Sequence, residues 1–371
     1  MLQTAVFAEN EDDTDWAERS EYWIAESTAN VPKRRLRQRK SMPLILCGHG
    51  ISMRIENGAL VIRDGFTHYP QKQAQYRHFP RDLDLPTRIL LLDGSGTLSF
   101  DVLSWLAEQG IALARVKWTG EVATVASGTG HAADRDKVAW QNETRADNFK
   151  RLAFAADLIR QKITASITTL EYHFPASRSR VIAIDKARAG IDRLTTETFN
   201  DLNAIFAIEG ECASAYFAAW HGMPIAWTGT ARRRVPEGWL SYTGRSSFAT
   251  GVKAENRNAS HPVNALLNYA YAVKLAQMQI QTIADGYDPT FGIMHNGRRG
   301  SPALILDLIE PERPRVDAAI LTFVRSRKFA AADFVIRANG GCRLAPQLAR
   351  AVAALISQPL LNRAICPLAA G

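Results

Sequence analysis

The sequence has few cysteines and no long hydrophobic run, and each absence excludes a class of protein. Four cysteines are scattered over 371 residues without the paired spacing of a disulfide framework or a zinc ribbon, so reduced thiols are expected. No apolar stretch approaches the length of about 20 residues that a membrane-spanning helix needs, and the acidic N-terminus does not resemble a signal peptide. Glycine-rich phosphate loops and internal repeats are also missing. These absences predict a globular cytoplasmic protein that has no membrane partner.

The charge of the chain is unevenly distributed. Residues 1–32 contain eight acidic residues and one basic residue, a balance of −7, so the net charge of +8 leaves +15 on the remainder. A basic body of this size favours a polyanionic partner, most simply nucleic acid, because clustered Lys and Arg release counterions from phosphates. General solubility charge is the alternative interpretation.

Hydrophobic patterning divides the chain into four parts. Residues 1–41 hold an acidic stretch and then a basic run, which predicts a poorly ordered extension. Residues 42–126 show short alternating runs around an Asn-Gly pair, which indicates a small β-rich domain with a hairpin. Residues 127–133 are rich in Ser, Thr and Gly and predict a linker, whereas helical periodicity dominates residues 134–371. The predicted fold class is therefore α+β, with a small N-terminal β-domain followed by a larger all-α catalytic domain.

Two carboxylates and a histidine stand out near the end of the helical part. Asp307 and Glu310 are three residues apart in an apolar helix that begins after Ser301-Pro302 and ends or kinks at Pro311, so both project from one face. Unpaired buried charge costs several kcal/mol, about 3–5 by analogy with broken buried pairs, and this requires a positive partner. His295 lies just upstream, and His with carboxylates suits Mn²⁺ or Mg²⁺. Alternatively, the acids form surface salt bridges with nearby arginines and His295 is an ordinary loop residue.

A third acid lies in another predicted helix. Glu209 falls within the apolar stripe of residues 194–221, whereas Glu211 falls on the opposite face. An ionisable residue on a core-facing stripe needs a partner and is a candidate functional residue. A core acid paired with an arginine is the alternative.

Four sequence blocks resemble, in order, the signature blocks of a known family. They are IEGECASAYF, HPVNALLNYAYAV, GYDPTFGIMHNG and LILDLIEPERPRVD, and they resemble the CRISPR-associated integrase of spacer acquisition, the endonuclease common to most CRISPR systems. The resemblance implies that Glu209, His295 and Glu310 bind a catalytic Mg²⁺ or Mn²⁺, and that Asp307 is a further acid of the site. It also implies a prokaryotic cell interior.

The implied reaction is the insertion of short DNA duplexes into a CRISPR repeat array, by attack of a 3′-hydroxyl on a phosphodiester. The expected partners are double-stranded and branched DNA, a second copy of the chain in a homodimer, and a small CRISPR-associated protein. Arg298 and Arg299 flank the metal loop and could grip the DNA strand, while Asn264 and Tyr271 are candidates for orienting or contacting DNA.

Basic and aromatic residues alternate between residues 224 and 259, where Arg245 and Arg257 are candidate DNA contacts. A solvated loop with packing tryptophans is an equally good interpretation of this stretch. Two other functions stay open: a non-catalytic DNA-binding scaffold of the same fold, and a transposon-type integrase that mobilises its own element.

Overall fold

We describe the protein from a computed structural model. The described residues are 14–29, 43–67, 71–117, 122–126, 134–231, 233–245, 259–296, 301–336 and 340–357. The predicted linker at 127–133 and the basic run of the N-terminal extension lie outside them, as do Arg257, Arg298 and Arg299.

The N-terminal part forms a six-stranded mixed sheet. Its strands are β1 (Leu44–Glu56), β2 (Ala59–Arg63), β3 (Gln75–His78), β4 (Arg88–Leu98), β5 (Ala112–Val116) and β6 (Val122–Ala126). Their order across the sheet is β3-β2-β1-β4-β5-β6. β4 is parallel to both β1 and β5, and the other neighbours are antiparallel. A helix, α2 (Phe100–Glu108), connects β4 to β5, as parallel strands require.

The Asn-Gly pair makes the predicted hairpin. Asn57 and Gly58 both have positive φ, 51° and 76°, and Glu56 pairs with Ala59 across the turn. Positive φ at both central positions matches the twist of the flanking strands. β1 is one long strand, in which the pairing with β4 shifts register on both sides of His49.

The rest of the chain is helical and carries the site. Its helices are α3 (Arg135–Ala146), α4 (Asn148–His173), α5 (Arg178–Thr196), α6 (Leu202–Ala218), α7 (Pro262–Ala284), α8 (Ala303–Leu308), α9 (Arg313–Arg325) and α10 (Pro346–Ile356). A two-stranded antiparallel sheet of β7 (Phe334–Ile336) and β8 (Cys342–Leu344) is added to what was predicted as an all-α region. The fold class of an N-terminal β-sheet followed by a helical region is confirmed.

Proline positions determine how the chain turns at the site. α8 ends at Leu308, a 3₁₀ turn covers Glu310–Glu312, and α9 begins at Arg313. Pro311 and Pro314 explain the break, because proline donates no backbone N–H and is tolerated in a first helical turn but not in an interior. Glu310 therefore lies in a turn between two helices.

The prediction of a poorly ordered extension is wrong for part of the N-terminus. Thr14–Ala29 form a helix, α1. Trp23 is 1% exposed and stacks on Phe323 and Phe329, and its indole N–H donates to Asp333 over 2.9 Å. Local composition suggested disorder, but burial of this one tryptophan against distant residues stabilises the helix.

The sheet and the helical part are packed together through α10. Arg350 of α10 forms an ion pair with Asp64, which is 1% exposed and also accepts the backbone N–H groups of Cys47 and Gly65. One face of the sheet, with Ile45, Leu90 and Val116 among its residues, shares a hydrophobic cluster with the helical part. The sheet and the helical part therefore share buried apolar contacts as well as this ion pair.

Candidate active site

A large cavity lies where α4, α6, α7 and α9 meet. Its volume is about 1280 Å³. The acidic, basic and histidine side chains that line it are Lys162, Glu209, His221, Arg245, His295, Glu310, Arg313 and Asp317. The three residues that the resemblance implies as metal ligands, from positions 209, 295 and 310, thus face a single space.

Two of the three carboxylates converge on one positive atom. Nζ of Lys162, on α4, lies 2.5 Å from Oε1 of Glu209 and 2.6 Å from Oε2 of Glu310. The other oxygen of Glu310 accepts from Nε of Arg313 over 2.8 Å. The exposed fraction of the side chain is 24% for Glu209, 11% for Glu310 and 15% for Lys162. The acids that the sequence analysis left without a partner are therefore paired with Lys162 and Arg313.

Charge pairing outweighs burial in the titration of this cluster. Burial alone raises the pKa of Glu310, but Arg313 and Lys162 oppose it and hold that pKa at about 2. Burial lowers the pKa of Lys162, yet the carboxylates of Glu310 and Glu209 raise it above its ordinary value. Glu310 is therefore negative and Lys162 positive around neutral pH.

Asp307 organises the loop that carries His295. It is fully buried, and its Oδ2 accepts the backbone N–H groups of Ile293 and Met294 over 2.6 and 3.0 Å. Its Oδ1 accepts the backbone N–H of His295 over 2.9 Å and lies 2.7 Å from Nδ1 of the same residue. Both oxygens are engaged inside the protein, so Asp307 orients the histidine rather than facing the cavity.

This contact fixes the histidine electronically as well. The hydrogen bond that His295 donates to Asp307 raises the pKa of His295 above its ordinary value, although partial burial lowers it. A carboxylate only accepts, so Nδ1 carries the proton and Nε2 keeps a lone pair in the neutral ring. Histidines that bind metals have this arrangement, with a carboxylate behind the ring.

Two arginines, which the sequence analysis missed, hold the same loop from the other side. Arg151 donates from Nε to the carbonyl of Ile293 over 2.7 Å. Arg145 donates to the carbonyl of Gly292 and, from Nη2, to the side-chain oxygen of Asn296 over 2.6 Å. Their only sequence signal was their place in the helical stretch that follows the linker, far from the loop.

Two of the predicted DNA-contacting residues are used inside the protein. Asn264 is 2% exposed, donates to the carbonyl of Gly244 over 2.8 Å and accepts from Tyr242 and Arg245. Tyr271 is 8% exposed and donates its hydroxyl to Asp317. The polar groups of both residues are engaged inside the protein, which favours the orienting role among the two that were predicted. Direct contact of either residue with DNA stays a prediction.

Arg245, the other predicted DNA contact between residues 224 and 259 that the structure describes, is held by side chains of the helical part. Its Nη2 donates to the side-chain oxygen of Asn268 over 2.8 Å, and its guanidinium lies 5.6 Å from the ring centroid of Tyr271. It lines the cavity, so a role in binding phosphate or base is compatible with its place.

The donor atoms fit a divalent cation, although a lysine stands among them. Two carboxylate oxygens approach one point closely enough to share a single Nζ atom, and an imidazole lines the same cavity. Two oxygens and one nitrogen without thiolates suit Mg²⁺ or Mn²⁺. As they are placed among the described residues, however, no three His, Cys, Asp or Glu side chains are close enough together to hold a metal ion.

Lys162 had a signal in the sequence that was not used. Leu158, Ile159 and Ile163 of α4 are buried, and Lys162 lies four residues after Leu158 on the same face. A lysine on a core-facing stripe needs a carboxylate partner for the same reason that Glu209 needs a cation. Which carboxylates it meets depends on the packing of α4 against α6 and the turn after α8.

Comparison with known proteins gives one family. The family model described as CRISPR associated protein Cas1 matches residues 44–358. A CRISPR-associated exonuclease Cas4/endonuclease Cas1 fusion of Rhodospirillum rubrum is 33% identical over 58% of this chain and 34% of its own length. A CRISPR-associated endonuclease Cas1 of Korarchaeum cryptofilum is 25% identical over 76% of this chain and 77% of its own length.

A solved structure has the same fold. The Casposase bound to integration product superposes with a TM-score of 0.68 at 22% identity, covering 85% of this chain and 82% of the other. The matched part spans only about a third of the Rhodospirillum rubrum fusion.

Each described helix is too short or too polar to cross a bilayer.

Proposed function

We propose that this chain, which belongs to the family of CRISPR associated protein Cas1, is a metal-dependent DNA endonuclease and integrase. The proposed reaction inserts short DNA duplexes into a CRISPR repeat array by attack of a 3′-hydroxyl on a phosphodiester. One observation supports it above the others: Glu209 and Glu310, from distant parts of the sequence, converge on the ammonium of Lys162 in the cavity that His295 also lines.

Each side chain has a role in this proposal. Glu209, Glu310 and Nε2 of His295 hold the divalent ion, which when bound lowers the pKa of the attacking hydroxyl and neutralises charge on the phosphate. Asp307 keeps His295 in the tautomer that can bind. Arg313 stays paired with Glu310 and adds positive charge next to the phosphate position.

The DNA partner follows from charge and cavity together. The +15 balance outside residues 1–32 supplies attraction to phosphates, and the cavity is large enough for part of a strand to reach the acids. We also propose a homodimer and a small CRISPR-associated partner protein, on the basis of family membership. With water in place of the hydroxyl, the same residues would support strand cleavage.

The test is a joining assay with a labelled duplex and a repeat-bearing plasmid, analysed by gel in Mn²⁺, Mg²⁺ or excess chelator. Glu209→Gln is expected to lower joining by at least about 100-fold, since even residues behind a metal ligand contribute about 10–100-fold. Glu211→Gln is the matched control, because this exposed acid of the same helix lies on the opposite face. DNA binding in a gel-shift assay should stay unchanged in both variants.

The metal series tests the cofactor separately. The imidazole ligand makes the site less negative than an all-carboxylate site, and we expect Mn²⁺ to support joining at least as well as Mg²⁺. Full activity in excess chelator would contradict the proposal. Normal DNA binding without joining in any metal would favour the scaffold, and joining restricted to the ends of a mobile element would favour the transposon-type integrase.

A further inference from the structure

Lys162 occupies the point where a catalytic cation is expected. Its Nζ contacts oxygens of both Glu209 and Glu310 within 2.6 Å, so it neutralises the two acids that the proposed function assigns to the metal. Its long side chain extends from α4 and is 15% exposed. An ammonium and a divalent ion cannot share this space, because each must contact the same carboxylate oxygens.

The ammonium of Lys162 can move away from the two acids by rotation of its own side chain. Lysine has four rotatable side-chain bonds and a compact charge, in contrast to the rigid fork of arginine. Arg313 is held differently: it contacts the outer oxygen of Glu310 and packs its guanidinium 4.9 Å from the ring centroid of Tyr271. Of these two cations, Lys162 is therefore the one that can move away while Glu310 keeps a partner.

An ammonium that leaves the acids needs another anion. The cavity that it lines is open to the proposed DNA substrate, whose phosphodiesters are the anions that would enter with it. A phosphate beside the acids would attract Nζ and simultaneously leave Glu209 and Glu310 free for a metal ion.

We propose that Lys162 is a built-in counter-ion that competes with the divalent metal for Glu209 and Glu310, and that DNA phosphate releases it. This inference rests on the proposed function and adds a regulation to the same site. Metal binding is weak in the DNA-free protein and becomes tight when the substrate is present. By linkage, the metal strengthens DNA binding by the same factor. A nuclease with this property is held inactive until it has bound DNA.

The test measures metal binding rather than activity. Mn²⁺ is titrated into the full-length, DNA-free protein, and free Mn²⁺ is followed by electron paramagnetic resonance. Lys162→Met should bind Mn²⁺ about tenfold or more tightly than the unmodified protein, within the range usual for coupled sites. Lys162→Gln, which keeps a polar head, should change in the same direction. Lys150→Met is the matched control, an exposed lysine of the same helix, and should leave the affinity unchanged.

A second titration includes a DNA duplex. The duplex should tighten Mn²⁺ binding of the unmodified protein clearly more than that of Lys162→Met, because only the former has an ammonium to release. A residue with a merely structural role would weaken metal binding when removed, which is the opposite sign. Unchanged or weaker Mn²⁺ binding in both Lys162 variants would overturn the inference, as would equal tightening by DNA in the two proteins.

Glu209→Gln separates this inference from the proposed function. If Glu209→Gln lowers Mn²⁺ affinity while the Lys162 variants do not raise it, the metal site stands and only the competition by lysine is refuted. If Glu209→Gln leaves Mn²⁺ affinity unchanged, the metal site itself is wrong and the inference is refuted with it.

Discussion

Replacing Asp307 by asparagine should disable the site by changing a proton position rather than by removing a ligand. Asp307 presents two acceptor oxygens to four groups: the backbone N–H groups of Ile293, Met294 and His295, and Nδ1 of His295. An asparagine of the same shape has one acceptor oxygen and one NH₂ donor, so it can serve only one half of this set.

The cost of the two orientations decides which is adopted. With the amide oxygen turned to His295, two backbone N–H groups lose a charged acceptor, at about 1.5–3 kcal/mol each. With the amide oxygen kept on Ile293 and Met294, only the N–H of His295 loses its acceptor, for about 1.5–3 kcal/mol. In this cheaper orientation the NH₂ group donates to Nδ1, the proton moves to Nε2, and the ring can no longer bind a cation.

We therefore expect Asp307→Asn to lower the free energy of unfolding by about 1.5–3 kcal/mol. It should also lower Mn²⁺ affinity and the rate of joining by about 10–100-fold. Asp333→Asn is the control, because Asp333 is also fully buried, accepts from a backbone N–H, from Trp23 and from Arg19, and does not line the cavity. It should lose at least as much stability, because its ion pair with Arg19 is broken, but no metal affinity. Mn²⁺ binding of Asp307→Asn within twofold of the unmodified protein would refute the role assigned to the histidine tautomer.

Two further predictions concern stability. Burial raises the pKa of Asp317 to about 6, although the hydroxyls of Tyr271 and Tyr216 oppose this. The folded state thus binds the proton of this carboxyl more tightly than the unfolded state does. The resulting stability is fully present below pH 3.8, the ordinary pKa, and is lost as the pH rises through about 6. Urea unfolding should show this loss, about 3 kcal/mol from the size of the pKa change, and Asp317→Asn should remove it; a pH profile identical to that of the unmodified protein would count against this. Trp23→Ala should lower the free energy with which α1 packs on the protein by about 3–5 kcal/mol and expose α1 to limited proteolysis. Glu21→Ala, on the exposed face of α1, should do neither. Equal protection of the two variants would contradict the anchoring of α1 by Trp23.

Much of the fold could be predicted because its signals are local. The Asn57-Gly58 turn and the helical periodicity beyond residue 134 depend on neighbouring residues, and both are found where they were expected. β3 was missed, because Gln75–His78 is a short polar strand that is stabilised only by pairing with β2. α1 was missed because the contact that holds it, Trp23 with Phe323, Phe329 and Asp333, joins the two ends of the chain.

The candidate site likewise contains residues that the sequence could predict and partners that it could not. Glu209, His295 and Glu310 could be selected from the sequence, since charged groups on apolar stripes need partners and the four blocks resemble a family. Their mutual placement stays a proposal as a metal site. The partners themselves could not be selected: Lys162 is 47 residues from Glu209 and 148 from Glu310 along the chain, and no local pattern reports such a distance.

The sequence by itself determined that the protein has a β-rich part and a basic helical part, and that a few ionisable groups must be buried with partners. Hydrophobic periodicity and the cost of burying a charge depend on each residue and its neighbours along the chain, so both can be read from the sequence alone. Only the tertiary structure decided that a lysine and two glutamates meet, that Asp307 serves the histidine loop, and that Asn264 and Tyr271 face inward. Those outcomes depend on how helices pack against one another, and packing brings together residues that have no relation in sequence.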